Sequence, residues 1–180
     1  MKGPILKGPR VTLRPLKLSN ALTFIRWLKD PEVFKYLMIQ KTPSLAVERK
    51  WIRNDLRSKD KFTWSIYGEG DVMMGNCSVR LRTNDKAANF GIFIGDKTQW
   101  GKGYAGEIIK IVGNYVFKKL KYQRFGLEVY MANKRAFVAY KKAGFKLEGV
   151  RRRYHYNLVT KKFEDDGIMS ILKEDWGKKK

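Results

Sequence analysis

An apolar strand carrying Phe90, Ile92 and Ile94 runs into a glycine-rich turn, Gln99-Trp100-Gly101-Lys102-Gly103-Tyr104-Ala105, which opens directly into an amphipathic helix. No other stretch of the chain restricts the fold as much. In the helix Tyr104, Ile108, Ile111, Val112, Tyr115 and Val116 recur at three- and four-residue steps, so one face is apolar and needs a sheet to lie against. Glycines at 101 and 103 permit positive φ and close backbone approach. The first turn of the helix offers unpaired N–H groups and a partial positive charge. Together these parts make a phosphate cradle. A second strand, Phe125 to Tyr130, and a segment carrying Asn133 and Tyr140 complete the unit.

The identity of the phosphate ligand is then the question, because Gly101, Gly103 and Gly106 also spell G-x-G-x-x-G between a strand and a helix. A dinucleotide site asks for an acidic residue closing the next strand, about 20 residues on, to hold a ribose. Glu128 falls late for that role and is followed in its strand by Val129 and Tyr130. A Walker-type loop fails more plainly, since Lys102 is followed by Gly103 instead of Ser or Thr.

A family fits better. Gln99-x-x-Gly101-x-Gly103-x-Ala105, followed by Asn133-x-x-Ala136-x-x-x-Tyr140-x-Lys142-x-Gly144-Phe145, resembles the GNAT superfamily of acetyl-CoA-dependent N-acetyltransferases. The opening strand, Val11-Thr12-Leu13-Arg14-Pro15-Leu16, is similar to that of the ribosomal-protein-alanine and polyamine acetyltransferase branch. The resemblance implies that acetyl-CoA is held by the turn from Gln99 through Trp100, Gly101, Lys102, Gly103 and Tyr104 to Ala105. It also implies that the pantetheine arm runs beside Ile92, Phe93 and Ile94, with Asn133 on its amides.

Charge agrees with an anionic partner. Lys and Arg number 39 against 17 Asp and Glu, a net +22 that attracts coenzyme A, a ribosome or other nucleic acid, or serves only solubility. The single cysteine, Cys77, excludes an intramolecular disulfide and suits a reducing, cytoplasmic setting; its small and apolar neighbours mark it as a packed strand residue. With one histidine, His155, no multi-His or Cys metal centre is expected. No apolar run approaches the roughly 18 residues of a membrane helix, and no signal-peptide core follows Met1.

Ahead of the cradle the chain reads as a strand from Arg10 to Leu16, a helix from Leu18 to Leu28 with Ser19 as N-cap, and a helical turn after Pro31. A helix from Ser44 to Leu56 and a hairpin of Phe62 to Tyr67 with Val72 to Arg82 follow. Antiparallel strands before a β-α-β-like second half give an α+β class. The expectation is a single GNAT-like domain over 1–176, with helices on both faces of a mostly antiparallel twisted sheet of about 6–7 strands. The lysines of 177–180 read as a basic disordered tail.

Acetyl transfer from a thioester to an amine needs a neutral amine, a donor for the developing oxyanion and an acid near the leaving sulfur. The family resemblance assigns Glu128 as base, directly or through water, and Tyr140 as the group that protonates or hydrogen-bonds the coenzyme A thiolate. A backbone N–H near Ile92 to Ile94 would meet the oxyanion. Many relatives carry Glu where this chain has Asn89, which leaves Glu128 or an ordered water to act. The resemblance also implies that the early helices form one wall of the acceptor groove, with Phe34, Tyr36 and Trp51 as candidate lining. The stretch Arg151-Arg152-Arg153-Tyr154-His155-Tyr156 implies the other, with Tyr154 and Tyr156 flanking the amine. The acceptor is a protein N-terminus, ribosomal or otherwise, or a small amine such as a polyamine. A basic surface repels free polyamines and favours the former. The alternative class is a non-catalytic RNA- or ribosome-binding protein on the same fold, with the arginine–tyrosine cluster stacking on bases. The aromatic content and the last strand also permit a homodimer.

Overall fold

The computed structural model describes residues 2–37, 39 and 41–178. Its strands are β1 (Leu6–Lys7), β2 (Thr12–Pro15), β3 (Lys61–Tyr67), β4 (Met73–Arg82), β5 (Ala87–Ile94), β6 (Arg124–Tyr130), β7 (Lys146–Asn157) and β8 (Lys162–Leu172). Its α-helices are α1 (Ala21–Leu28), α2 (Pro31–Phe34), α3 (Leu45–Arg57), α4 (Tyr104–Asn114) and α5 (Lys134–Lys142). The strands form one α+β sheet in the order β1-β2-β3-β4-β5-β6-β8-β7. Among the described residues there are eight strands where about six or seven were expected. The addition is β1, which pairs Leu6 with Leu13 and Lys7 with Thr12 and is too short to show an alternation.

Alternation sorts the side chains to two faces. In β3, Phe62, Trp64 and Ile66 join the main core, while buried Thr63 and Ser65 turn to the other face, where the Ser65 hydroxyl donates to Asn20 Oδ1 at 2.9 Å. Helices α4 and α5 cover the first face. Ile108, Ile109 and Val112 of α4 are fully buried, each stabilising by roughly 1.5–3 kcal/mol. Phe24 of α1 and Ile52 of α3 cover the second face with Met73 and Phe93.

The caps follow from chemistry. The Ser44 side chain accepts from Val47 N at the start of α3, and Asp30 caps α2, whose first residue is Pro31. Ser19 is not a cap: it lies in a 3-10 turn, Leu18–Asn20, ahead of α1. There Asn20 accepts from Lys17 N at 2.7 Å and from Ser65, so its oxygen is committed to the loop and the core. After Asn114 the chain widens into a π-helical turn, Tyr115–Lys119, where Leu120 N donates to Tyr115 O. Residues 179 and 180 of the expected tail lie outside the described residues; Gly177 and Lys178 are described, and Lys178 N donates to Asp175 O.

All neighbouring strands run antiparallel except β5 and β6. Those two pair only over Ala87↔Arg124, Ala88↔Phe125 and Asn89↔Gly126. Beyond Asn89 they part. The sheet therefore has a gap in its middle that opens onto both faces, and a doubly wound dinucleotide fold is excluded.

Candidate active site

The gap is a cavity of about 790 Å³, bounded by Phe90 to Ile94 of β5, Glu128 to Tyr130 of β6, the glycine turn and α5. Gly95 N donates to Met74 O at 2.9 Å, on the β4 side, and backbone alternation then turns the amides of Ile92 and Ile94 toward the gap. Ile94 O is taken by Trp100 Nε1 at 2.9 Å, which leaves its N–H.

At one end lies the cradle. Gly101 and Gly103 have φ of 78° and 81°, and a Cβ at Gly101 would meet nothing within 4 Å. Gly103 is the N-cap of α4 and supplies no side-chain hydrogen bond, so the first amides of the helix stay available. Arg10 braces the turn from below, with Nη1 donating to Lys102 O and Nε paired with Glu107 at 3.1 Å. The Lys102 side chain turns to Gln99 Oε1 and away from the cavity wall, so Lys102 contributes through its backbone. Gln99, Trp100, Gly101, Gly103, Tyr104 and Ala105 all border the cavity.

Tyr140 borders it from α5, its ring 6.0 Å from that of Phe145. Burial alone pushes its phenol up to about 12, so it keeps its proton at neutral pH. Asn133 also borders the cavity, but its Oδ1 caps α5 by accepting from Ala136 N, which leaves only its NH₂ for a ligand. Cys77 is fully buried in β4, where burial pushes its thiol up and away from reactivity.

Glu128 alternates with core residues Leu127 and Val129, so it reaches the gap from the opposite face to Tyr140. Its Oε2 lies 2.6 Å from Arg151 Nη2. The same guanidinium binds Asp166, which is 1% exposed, with Nε at 3.0 Å from Oδ2. The two carboxylates hold Arg151 firmly protonated, Asp166 first. Asp166 and His155 were not foreseen here. Both border the cavity, as does Tyr36, whose hydroxyl donates to Ala132 O at 3.3 Å and so spans the mouth.

A second recess of about 340 Å³ adjoins the first through Leu37, Tyr130 and His155. Phe34, Tyr154 and Tyr156 lie there, and Asn157 Nδ2 closes it by donating to Lys35 O. Trp51 belongs to neither space. It packs edge-on against Phe24, where the α1–α3 contact needs an aromatic. Asn89 is also outside the lining, at the point where β5 and β6 part.

Basic and acidic residues divide the cavity. Lys110, Arg135 and Lys142 come from α4 and α5, whereas Glu32, Glu128 and Asp166 come from α2, β6 and β8 on the other face. Among the described residues no group of three or more His, Cys, Asp or Glu could hold a metal, and no helix is long and apolar enough to cross a membrane.

The profile of the acetyltransferase (GNAT) domain matches residues 10–146, which contain the cradle, the gap and Tyr140. The chain belongs to the GNAT acetyltransferase family. It is 28% identical over 173 residues to the N-acetyltransferase p20 of Bacillus licheniformis, itself uncharacterized, covering 93% of this chain and 95% of that one. Spermidine N-acetyltransferase of Vibrio cholerae, solved with CoA and spermine, superposes with a TM-score of 0.85 at 19% identity, over 93% of this chain and 98% of that one. The ribosomal alpha-N-protein acetyltransferase RimL, in complex with coenzyme A, gives 0.83 at 16% identity, over 94% and 98%. At such identities the two structures speak for the fold alone. As a GNAT enzyme the chain is an N-acetyltransferase with acetyl-CoA as cosubstrate. The open space at Gly101, the uncapped start of α4 and the cations Lys110, Arg135 and Lys142 suit its phosphates.

Proposed function

We propose that the enzyme acetylates the terminal α-amine of a protein or peptide. The observation that carries this is the acceptor end of the cavity. Glu128 and Asp166 share one guanidinium there, an excess of one negative charge to meet one ammonium, while Glu32 on the same lining is paired with Lys97 at 2.9 Å. Beyond it the second recess is lined by aromatic and aliphatic side chains with Lys35, His155 and Asn157, and among the described residues no carboxylate borders it to meet the further ammonium groups of a polyamine. The net charge of +22 also disfavours a free polycation. A first residue with an apolar side chain suits both spaces.

Bound acetyl-CoA supplies a thioester whose carbonyl carbon accepts the amine. Backbone amides of Gly101 to Ala105 would hold its pyrophosphate and Asn133 Nδ2 its pantetheine, with the Ile92 and Ile94 N–H groups on the free edge of β5. One of those two N–H groups is placed to stabilise negative charge on the carbonyl oxygen. Tyr140, at about 12, is a weaker acid than an ordinary thiol near 8.5, so its role is to donate a hydrogen bond to the leaving sulfur and not to surrender its proton. Glu128 draws the ammonium into place by charge.

The RNA-binding reading loses one arginine of its cluster, because Arg151 is engaged by two carboxylates and by the Tyr154 ring 3.8 Å from its Cζ. Mass spectrometry after incubation with acetyl-CoA and equal concentrations of a free-N-terminus peptide and spermidine tests the assignment. Acetylation of the peptide α-amine in excess supports it. Preferential acetylation of spermidine sinks it.

A further inference from the structure

The scheme above leaves the chain's one histidine without a task, although it occupies the wall shared by the two cavities. The His155 ring stacks on Tyr130 with centroids 4.7 Å apart and meets Tyr154 edge-on at the same distance. Its Nε2 lies 3.5 Å from Asp166 Oδ1, and Arg151 holds the other oxygen of that buried carboxylate. Two aromatic rings therefore fix the imidazole plane, and a carboxylate that is itself fixed favours a proton on Nε2. Nδ1 is left as the acceptor nitrogen.

We propose that His155, positioned by Asp166, removes the proton from the acceptor ammonium. This rests on the acetyl-transfer reading of the site. Glu128 is the rival base, but one of its oxygens is engaged by Arg151 at 2.6 Å. The other titratable groups around the ring are Glu164, its register partner on β8, with Glu128 and Tyr130 of β6, Arg151 and Tyr154 of β7, and Lys35 in the loop after α2. In the balanced step one ammonium proton goes to Nδ1 and on to solvent. The freed lone pair forms the C–N bond while the C–S bond breaks, and a second nitrogen proton neutralises the sulfur.

The test compares wild type with His155→Gln on a free-N-terminus peptide, reading kcat and KM from about pH 5 to about pH 9. A wild-type limb near neutral pH that disappears in the variant, with kcat lowered roughly 100-fold or more and the KM for acetyl-CoA within about threefold, supports the proposal. An unchanged limb, or a kcat within about threefold of wild type, overturns it. If wild type acetylates no peptide, the N-terminus reading is what fails, and the same comparison is made with spermidine as acceptor. If His155→Gln no longer binds acetyl-CoA in calorimetry, the wild-type enzyme decides, since its only imidazole can be titrated by NMR. A titration that coincides with the kcat/KM limb supports the role, and one that does not coincide removes it.

Discussion

Arg151 Nη2 stands 2.6 Å from Glu128 Oε2 and contacts Asp166 as well, so one guanidinium on β7 ties together the acidic groups of β6 and β8. Asp166 is 1% exposed, and a carboxylate so placed is tolerable only while paired. Arg151→Met should therefore cost about 3–5 kcal/mol of stability. Arg151→Lys should recover only part of that, because an ammonium lacks the planar fork. Urea unfolding measures both, and a loss below about 1 kcal/mol for Arg151→Met would mean that Asp166 is neutralised by another group.

The cradle depends on backbone conformation and on empty space. Gly103, at φ 81°, is N-cap to α4 with Arg10 Nη2 3.9 Å from the site of an added Cβ. Gly103→Glu adds strain of about 1–2 kcal/mol and sets an anion where phosphate must lie, so the Kd for acetyl-CoA should rise by roughly 100-fold or more. Gly149 lies in β7 outside the cavity lining, and an added Cβ meets nothing within 4 Å, so Gly149→Ala should keep the fold and serve as the control in the same calorimetric titration. Equal affinities for Gly103→Glu and wild type would move the phosphates elsewhere.

Much of this was legible in the sequence because it is local. The cradle, the α4 face and the Ser44 cap each depend on spacing within a few turns, and Ile109 and Gly113 are the buried α4 residues that the periodic face omits. The π-helical turn after Asn114 leaves no signal of its own, since Trp176 shapes it from afar by donating to Asn114 Oδ1 and packing on Phe117. The acceptor end was less legible for the same reason. Glu128, Arg151, His155 and Asp166 meet only because β8 inserts between β6 and β7, a pairing that no local pattern encodes. Arg151 and Asp166 stand 15 residues apart in the chain, and their register partnership on β7 and β8 turns them into an ion pair.

Tyr140 carries two consequences of burial. With its phenol at about 12, the hydroxyl is a hydrogen-bond donor throughout the neutral range. Tyr140→Phe should lower kcat roughly tenfold to a hundredfold, as expected for losing one hydrogen bond to a charged group, with little change in acetyl-CoA affinity. The same shift bears on stability. A folded value above the unfolded one favours folding fully below about pH 10, and that advantage disappears as pH rises toward 12, a loss of roughly 3 kcal/mol for two units. The difference in unfolding free energy between wild type and Tyr140→Phe should therefore shift against wild type by that amount between pH 10 and 12. A difference that stays constant across this window would mean the phenol is solvated.

The acid side is set by Glu148 of β7. Arg124 is the main cause and the Ser170 hydroxyl a lesser one, and together they pull its carboxyl down to about 2. The Ser170 hydroxyl donates to Oε1 at 2.5 Å, and Arg124 Nη1 reaches the same oxygen at 2.6 Å, so the charged form is held from two strands at once. The folded value lies below the unfolded one, so the stabilisation is complete above about pH 4.5 and disappears as pH falls toward 2. The side chain is 38% exposed and water screens the pair, which reduces its worth at pH 7 to about 1 kcal/mol. Glu148→Gln should lose that amount at neutral pH and match wild type near pH 2. Urea midpoints measured at both pH values check this, and a deficit that persists undiminished near pH 2 would trace to the Ser170 contact and not to charge.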